Sequence, residues 1–312
     1  MPLPEIDRIA VTTVVDNSID SLRPDEKVAR RYTIDRAGGF PRLRAEHGLA
    51  HLVEVTRGAD SARIAFDFGL TGESMTHNWD TLGLDAGRID LVALSHGHAD
   101  HYGGLVGFLE ASRRRMKRDL VFYGGSDHFA HRWTERGGRR VDLGTLSRRT
   151  LEAYDLEVRI PTEPTVLAEG VMLSGEMTAP IPYEIIPPSL QVERDGQFGQ
   201  DTFIGEQTLI ANVRDKGLVV VTSCSHRGIV GICRWAARAA GVPKVHAVIG
   251  GFHLSGLGEE RITRVVDAFR ALELDYIVPQ HCTGLEAVIA LSGRLGDRLV
   301  VSSVGSTFTF GA

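Results

Sequence analysis

The sequence predicts an α/β fold in which two β-sheets pack together and helices cover their outer faces. Two observations support this fold class. Short apolar and β-branched runs alternate with amphipathic helical stripes in the first and last thirds of the chain. Several of these runs end in glycine-rich turns that contain histidine. Each end of the chain therefore carries its own strands and covering helices, which fits two sheets better than one.

The N-terminal third contains five runs that predict strands. They lie at residues 6–15, 51–56, 63–68, 89–95 and 120–123. Residues 57–60 predict a hairpin turn between the second and third of these strands, and residues 103–111 predict a helix. The strand at 89–95 is largely apolar and leads directly into a histidine cluster.

The C-terminal third repeats this pattern. Strands are expected at residues 209–213, 218–222, 245–249, 276–278 and 299–302. Apolar stripes at helical spacing predict helices near residues 229–240 and 262–272. Between the two thirds, residues 126–200 are rich in proline, which favours short strands and loops. We expect a single domain over residues 1–312, in which this middle segment is a less regular excursion that shapes a pocket.

Net charge, cysteine count and the distribution of apolar residues argue against several classes of function. The 312 residues carry a formal charge of −5, which argues against a protein whose main task is to grip nucleic acid. The basic runs at 113–118 and 136–140 are interpreted as solvated faces. Three cysteines cannot form a disulfide framework, no apolar run would span a bilayer, and the N-terminus lacks a secretory signal. We therefore expect a cytoplasmic protein that acts on a small molecule; nothing in the sequence indicates an oligomeric state.

The strongest chemical signal is the segment from His96 to His101. It places His96, His98, Asp100 and His101 within six residues, directly after the apolar strand. In an extended segment, positions two apart point the same way, so His96 and His98 can converge on one point. Asp100 and His101 follow where the chain turns, and they can face a second point nearby. Imidazole and carboxylate are ligands that zinc, iron and manganese favour, so the segment predicts a metal site.

Three further histidines end buried runs and open glycine-rich turns. His226 and His281 are interpreted as metal ligands, and His253 as either a ligand or an acid or base. Cys224 and Cys282 adjoin two of these histidines. Their thiolates would bind metal, but packing as small buried side chains is the more frequent fate of cysteine.

Asp67 ends a predicted strand and is expected to orient a ligand histidine through a hydrogen bond, the alternative being a turn or cap residue.

The segment His96-Gly-His98-Ala-Asp100-His101 resembles the signature of the metallo-β-lactamase superfamily. Phe66-Asp67-Phe68-Gly69 is similar to the strand-ending Asp-x-Gly of that superfamily. Further segments, in order, resemble the branch named after a dihydropterin-ribofuranosylaminobenzene phosphate synthase. These are the segments at 46–49, 94–98, 222–229, 248–254 and 281–284. Since Glu46 and His47 belong to this branch pattern, they are expected to bind substrate, and Cys224 and Cys282 are placed with them.

This resemblance implies an αββα sandwich of two mixed sheets with helices on both outer faces. It also implies two divalent cations at one edge of the sheets. His96 and His98 would hold one cation, and Asp100, His101 and His281 the other. Zn²⁺ is the first choice, with Mn²⁺, Fe²⁺ and Mg²⁺ as alternatives. Ser223-Cys224-Ser225-His226 stands where many hydrolases of the superfamily carry a bridging aspartate, so the bridging ligand and the cation that His226 serves stay open.

The function expected from this site is hydrolysis. A metal-activated water would attack an ester or phosphoester of a small phosphate-bearing substrate, with Asp100 and His253 as catalytic residues. One alternative is a synthase that joins a dihydropterin diphosphate to a ribofuranosylaminobenzene phosphate at the same metals. Another is a ligand-binding regulatory module with weak catalysis.

Overall fold

Strands dominate a computed structural model of the chain, which describes residues 1–178 and 181–312. In chain order, strands β1 to β18 are Arg8–Val15, Ala29–Arg30, Ala50–Arg57, Asp60–Phe66, Leu91–Ala93, Val121–Tyr123, His131–Arg136, Arg139–Gly144, Glu157–Arg159, Thr165–Ala168, Val171–Leu173, Leu190–Arg194, Gln197–Gln200, Leu209–Val213, Gly217–Val221, Val245–Gly251, Tyr276–Gln280 and Thr307–Gly311.

Helices separate many of these strands. Helices α1 to α8 are Ile34–Ala37, Gly72–Thr81, Ala99–Tyr102, Leu105–Ser112, Arg148–Ala153, Ile229–Ala240, Glu259–Ala271 and Leu285–Leu295. Local chemistry sets their ends. The Thr71 hydroxyl accepts the Ser74 N–H and caps α2, and Gly241 ends α6 in the left-handed region at φ 63°. None of the helices in the described ranges combines the length and the apolar character that crossing a membrane requires.

Two mixed sheets form the centre of the molecule. The larger has the order β2-β18-β1-β3-β4-β5-β6-β9, and the smaller has the order β10-β11-β14-β15-β16-β17. In both sheets, antiparallel hairpins give way to parallel strands, β4-β5-β6-β9 in one and β15-β16-β17 in the other. The predicted turn at 57–60 joins β3 to β4, with Arg57 paired to Asp60.

The core consists of three apolar layers. Residues such as Val53 and Phe66 of the larger sheet pack against Val219 and Ile249 of the smaller one. The outer face of the larger sheet packs against a helical layer with Trp79 and Phe108 at its centre, and α6 and α7 cover the smaller sheet. This is the predicted order of helix, sheet, sheet and helix. Phe66 is fully buried between the sheets, so its truncation to alanine should cost about 3–5 kcal/mol.

The proline-rich middle segment forms part of a third, four-stranded sheet with the order β13-β12-β7-β8. This small sheet joins two stretches of chain, residues 131–144 and 190–200, by antiparallel pairing of β7 with β12. The segments between the two stretches contribute β9 to the larger sheet and β10 and β11 to the smaller one. The middle of the chain is therefore shared among all three sheets.

One strand expected from sequence is wrong. Residues 299–302 make a single bridge, between Leu299 and Ile277, and do not extend into a strand. The last strand is β18, which pairs antiparallel with β1 over five residues. The period-two pattern of Thr307-Phe308-Thr309-Phe310 indicates this strand, because Phe308 and Phe310 face the buried layer between the sheets.

Candidate metal centre

The candidate ligands lie where parallel strands of both sheets end. His96 follows β5, His226 follows β15, and His281 directly follows β17. The carboxyl ends of parallel strands meet at one edge of a sheet, and the crevice outside that edge is where ligands bind in α/β proteins. Topology therefore gathers histidines that are up to 185 positions apart in the chain.

His96, His98 and His226 form the first group, which we call the three-histidine cluster. One nitrogen from each ring lies within 4.8 Å of the others. The ring centroid of His98 lies 4.8 Å from that of His96 and 4.9 Å from that of His226. His226 therefore joins the pair predicted from the His-x-His spacing.

Asp100, His101 and His281 form the second group, the carboxylate cluster. Asp100 Oδ2 lies 3.2 Å from His281 Nε2 and 3.6 Å from His101 Nε2. His47 Nε2 lies 3.4 Å from the same oxygen, but two thirds of the His47 side chain is exposed, so it stands at the mouth of the site.

The Cys224 thiol lies between the two clusters. Its Sγ is 3.2 Å from His101 Nε2. It also lies within 4.8 Å of a ring nitrogen of His96 on one side, and of His281 and the Cys282 thiol on the other. Burial raises the pKa of the Cys224 thiol well above its usual value, so the thiol is protonated in the absence of a neighbouring cation.

The donor atoms of the site fit divalent cations. Within the described residues, His96 Nε2 and both ring nitrogens of His226 are buried without a hydrogen-bond partner. Burial lowers the pKa of His96 and His226 well below the usual value and that of His98 to about 3, so these rings are neutral. Neutral imidazoles with free lone pairs, beside a carboxylate and a thiol, are a donor set for zinc and related metals.

Asp67 supports the carboxylate cluster from behind. Its carboxylate accepts hydrogen bonds from the Ser95 N–H at 2.7 Å, from Ser223 Oγ at 2.5 Å and from His101 Nδ1 at 2.9 Å. The backbone of Asp67 adopts φ 60°, which is uncommon for a non-glycine residue. Because His101 Nδ1 is engaged by Asp67, His101 Nε2 is left to face Asp100 and Cys224.

Charge is unevenly divided between the clusters. Burial disfavours a charged His101 ring, but Asp100 and Asp67 outweigh it and raise the pKa of His101 to about 10. Burial likewise opposes the charge on Asp100, but His101 and His281 hold the pKa of that carboxyl well below its usual range. The proton on His101 therefore occupies a position that a cation would take.

His253 lies beside the clusters rather than in them. It follows β16 at φ 46°, and its ring centroid is 4.4 Å from that of His226. It belongs to none of the ligand groups within residues 1–178 and 181–312. Burial lowers the pKa of His253, so its ring is neutral near pH 7.

A cavity of about 300 Å³ opens onto both clusters. His47, Cys224 and Cys282, all expected to bind substrate, line this cavity together with His253. Glu46 is not among the lining residues found in the described chain. Its carboxylate instead accepts the N–H groups of Leu70 and Thr71 and the Thr71 hydroxyl, and so supports the loop that precedes α2.

Sequence reasoning missed the residues that hold His226. The Phe203 ring stacks on the His226 ring at 3.9 Å and 12°. The Glu206 carboxylate accepts the N–H groups of His226 and Arg227, each at 2.8 Å, and burial raises the pKa of Glu206 to about 7. Both residues come from an irregular segment 20 or more positions upstream, where no motif marks them.

Two residues at the end of the first strand hold His281. Asn17 Oδ1 is 3.0 Å from His281 Nδ1, and the Asp16 carboxylate accepts the His281 N–H at 3.0 Å. Both follow the end of β1, which carries them to the same edge of the sheets. Polar residues directly after a buried strand were the available signal.

The fold and the motifs together define the class of this protein. Residues 48–179 match the family model of the metallo-β-lactamase superfamily. The chain belongs to the metallo-β-lactamase superfamily, which confirms the fold and the resemblance inferred from sequence.

Two relatives come from Methanocaldococcus jannaschii. The chain is 31% identical over 266 residues to 7,8-dihydropterin-6-methyl-4-(β-D-ribofuranosyl)-aminobenzene-5'-phosphate synthase, an alignment that covers 82% of this chain and 88% of the relative. It is 30% identical over 257 residues to the uncharacterized protein MJ0448, with coverage of 81% and 90%.

Among solved structures, Tm1679 shares this fold. It is described as a metal-dependent hydrolase of the β-lactamase superfamily, and it superposes with a TM-score of 0.75 at 24% identity. The match covers 97% of this chain and all of Tm1679. The similarity supports the four-layer arrangement described above.

Proposed function

We propose that this protein is an enzyme that binds two divalent cations, one at the three-histidine cluster and one at the carboxylate cluster. The observation that carries the proposal is the set of buried His96 and His226 ring nitrogens that lack hydrogen-bond partners, in one site with the Asp100 carboxylate and the Cys224 thiol. Zn²⁺ is the cation we expect, because it accepts nitrogen, oxygen and sulfur donors in one site. Mn²⁺, Fe²⁺ and Mg²⁺ are the alternatives.

The reaction that we propose is hydrolysis of an ester or phosphoester in a small phosphate-bearing molecule. Two bound cations would supply a lowered pKa of water and compensation of negative charge. A cavity of about 300 Å³ is at the small end of ligand pockets, which favours one small substrate and water.

His253 and Asp100 are the residues proposed to act on the reacting atoms. The neutral His253 ring lines the cavity beside His226, where it would take up a proton or pass one to the leaving group. Asp100 remains ionised, and its carboxylate would hold the cation and orient the nucleophile. Asp67 would keep His101 in the tautomer that presents Nε2 to the site.

A synthase is the second candidate function. It is favoured by the 31% identity to the jannaschii synthase over most of both chains. In this reaction, the ribofuranosylaminobenzene phosphate would replace water as the nucleophile. It would attack the carbon that bears the diphosphate of a dihydropterin diphosphate, and diphosphate would leave. A third candidate, a regulatory module, would bind a ligand without efficient turnover.

The test is a screen of metal-loaded protein. Phosphomonoesters, phosphodiesters and carboxylic esters would report hydrolysis, and diphosphate release from a dihydropterin diphosphate with an aminobenzene acceptor would report synthesis. His98→Ala should abolish either activity, whereas His77→Ala should not. His77 is a matched control because it lies on α2 and bonds the Arg42 carbonyl, away from the cavity. Ligand binding without turnover of any substrate would instead favour the module.

A cytoplasmic location stays a prediction.

A further inference from the structure

The small four-stranded sheet covers one side of the cavity with a single face of β7. Side chains two apart on a strand share a face, so Arg132, Thr134 and Arg136 point the same way. Thr134 and Arg136 line the cavity together with Leu143 of β8 and Leu190 of β12. Leu190 pairs directly with Thr134 in the register of the sheet.

Arg132 anchors this face to the metal centre. Its side chain is fully buried, and its Nε donates to Asp201 Oδ2 at 2.7 Å. Its guanidinium carbon lies 5.5 Å from the centre of the Phe203 ring, which in turn stacks on His226. A Cβ at Gly97 would collide with Arg132, so glycine is required at this point of the histidine loop. The small sheet is therefore fixed relative to the three-histidine cluster.

A tight turn fixes which residues face the cavity. Gly137 and Gly138 both have positive φ, 56° and 74°, and Arg136 pairs with Arg139 across them. This is the pattern of a two-residue type I′ hairpin, which sets the register of the flanking strands. Arg136 is thereby held on the cavity face, while Arg140 pairs with Glu135 on the other face.

Two polar groups on the cavity face lack partners. The Thr134 hydroxyl is buried and makes no hydrogen bond within the described part of the chain. Arg136 is exposed, and among the described residues it forms no ion pair. Arg140, by contrast, bonds Gln191 and stacks on Phe198. A hydroxyl and a guanidinium on one strand face are the donors that bind an oxyanion.

We propose that Arg136 and Thr134 bind a phosphate group of the substrate that is remote from the reacting bond. This inference rests on the proposed function, and it specifies the substrate class as a molecule with two anionic ends. One end lies at the metal clusters and the other lies under the small sheet. Leu70, Leu143 and Leu190 line the same cavity and would contact the apolar body between the two ends.

The test compares hexyl phosphate with 1,6-hexanediol bisphosphate on zinc-loaded protein by titration calorimetry. Wild-type protein should bind the bisphosphate roughly 10- to 100-fold more tightly, as expected for added charge-assisted hydrogen bonds. Arg136→Gln should remove this gain while leaving hexyl phosphate affinity nearly unchanged, and Arg136→Lys should restore part of it. Arg140→Gln, on the opposite face of the same hairpin, should behave like wild type. Circular dichroism of each variant verifies that it is folded.

The outcomes separate this inference from the proposed function. An unchanged preference for the bisphosphate in Arg136→Gln overturns the inference even if the protein hydrolyses phosphoesters. An equal affinity of wild type for both probes overturns it as well. If Arg136→Gln loses the preference but no substrate is turned over, the anion site stands and the enzymatic proposal fails.

Discussion

The two ligand clusters are built from similar residues but are supported in different ways. The three-histidine cluster contains neutral rings, and stacking by Phe203 and backbone hydrogen bonds to Glu206 hold its third member. The carboxylate cluster contains an ionised Asp100. A second carboxylate, that of Asp67, accepts a hydrogen bond from the His101 ring of this cluster. The three-histidine cluster therefore presents only neutral nitrogen lone pairs, whereas the carboxylate cluster also presents negative charge. If each half holds one cation, as proposed, we predict that either half can be disrupted by itself.

Removing one ligand from each half is the strongest way to test this independence. His98→Ala and His281→Ala should each lower the bound metal from two cations to about one. Turnover should fall by at least about 100-fold in both variants, because even the partners of metal ligands are worth about 10- to 100-fold. Plasma mass spectrometry on protein purified with zinc gives the stoichiometry. A complete loss of metal in both variants would show that the halves are coupled.

Substitution of His253 distinguishes a role in catalysis from a role in metal binding. His253→Ala should leave two cations bound and lower kcat by about 10²- to 10⁴-fold, the usual contribution of an acid or base. Metal content and kcat are measured on the same preparation. A loss of one cation would instead identify His253 as a ligand and would break the division into two clusters.

Substitution of Asp67 tests how much its negative charge contributes to cation binding at the carboxylate cluster. Asp67→Asn keeps the size of the side chain but removes its charge, so the affinity of the carboxylate cluster for its cation should fall by about 10- to 100-fold. The three-histidine cluster should keep its cation. Competition with a chromophoric chelator measures both affinities, and equal weakening of the two would contradict the proposed separation.

The smallest expected effect concerns Glu184, a buried carboxylate outside the two clusters. It gives a baseline for the pH dependence of the free energy of unfolding. Glu184 accepts the N–H groups of Val230 and Gly231 at the start of α6, and burial raises its pKa above the unfolded value of 4.5. Above pH 4.5 the unfolded chain releases a proton that the folded state still holds, so this group makes the free energy of unfolding decrease as the pH rises. Glu184→Gln should flatten that decrease in urea titrations of metal-free protein. An unchanged slope would show that folding does not shift the pKa of Glu184.

Much of the site followed from sequence because its ligands are marked locally. His96, His98, Asp100 and His101 lie in one loop after an apolar strand, and His226 and His281 repeat the same placement. The residues that support His226 come from a distant segment without periodicity, and therefore Phe203 and Glu206 were not recognised as part of the site. The prediction of a strand at 299–302 was wrong, because residues with high β-propensity form a strand only where a neighbouring strand pairs with them. Val300 makes one backbone hydrogen bond to Ile277, whereas Phe308 and Phe310 find a full partner in β1.

The position of the cations is the central claim, and anomalous diffraction from crystals grown with zinc tests it most directly. We predict two peaks at the zinc edge, about 3.5–4 Å apart. One should lie against His96, His98 and His226, and the other against Asp100, His101 and His281. Density without a peak at these residues, or with His226 and His281 turned away from the loop, would contradict the account.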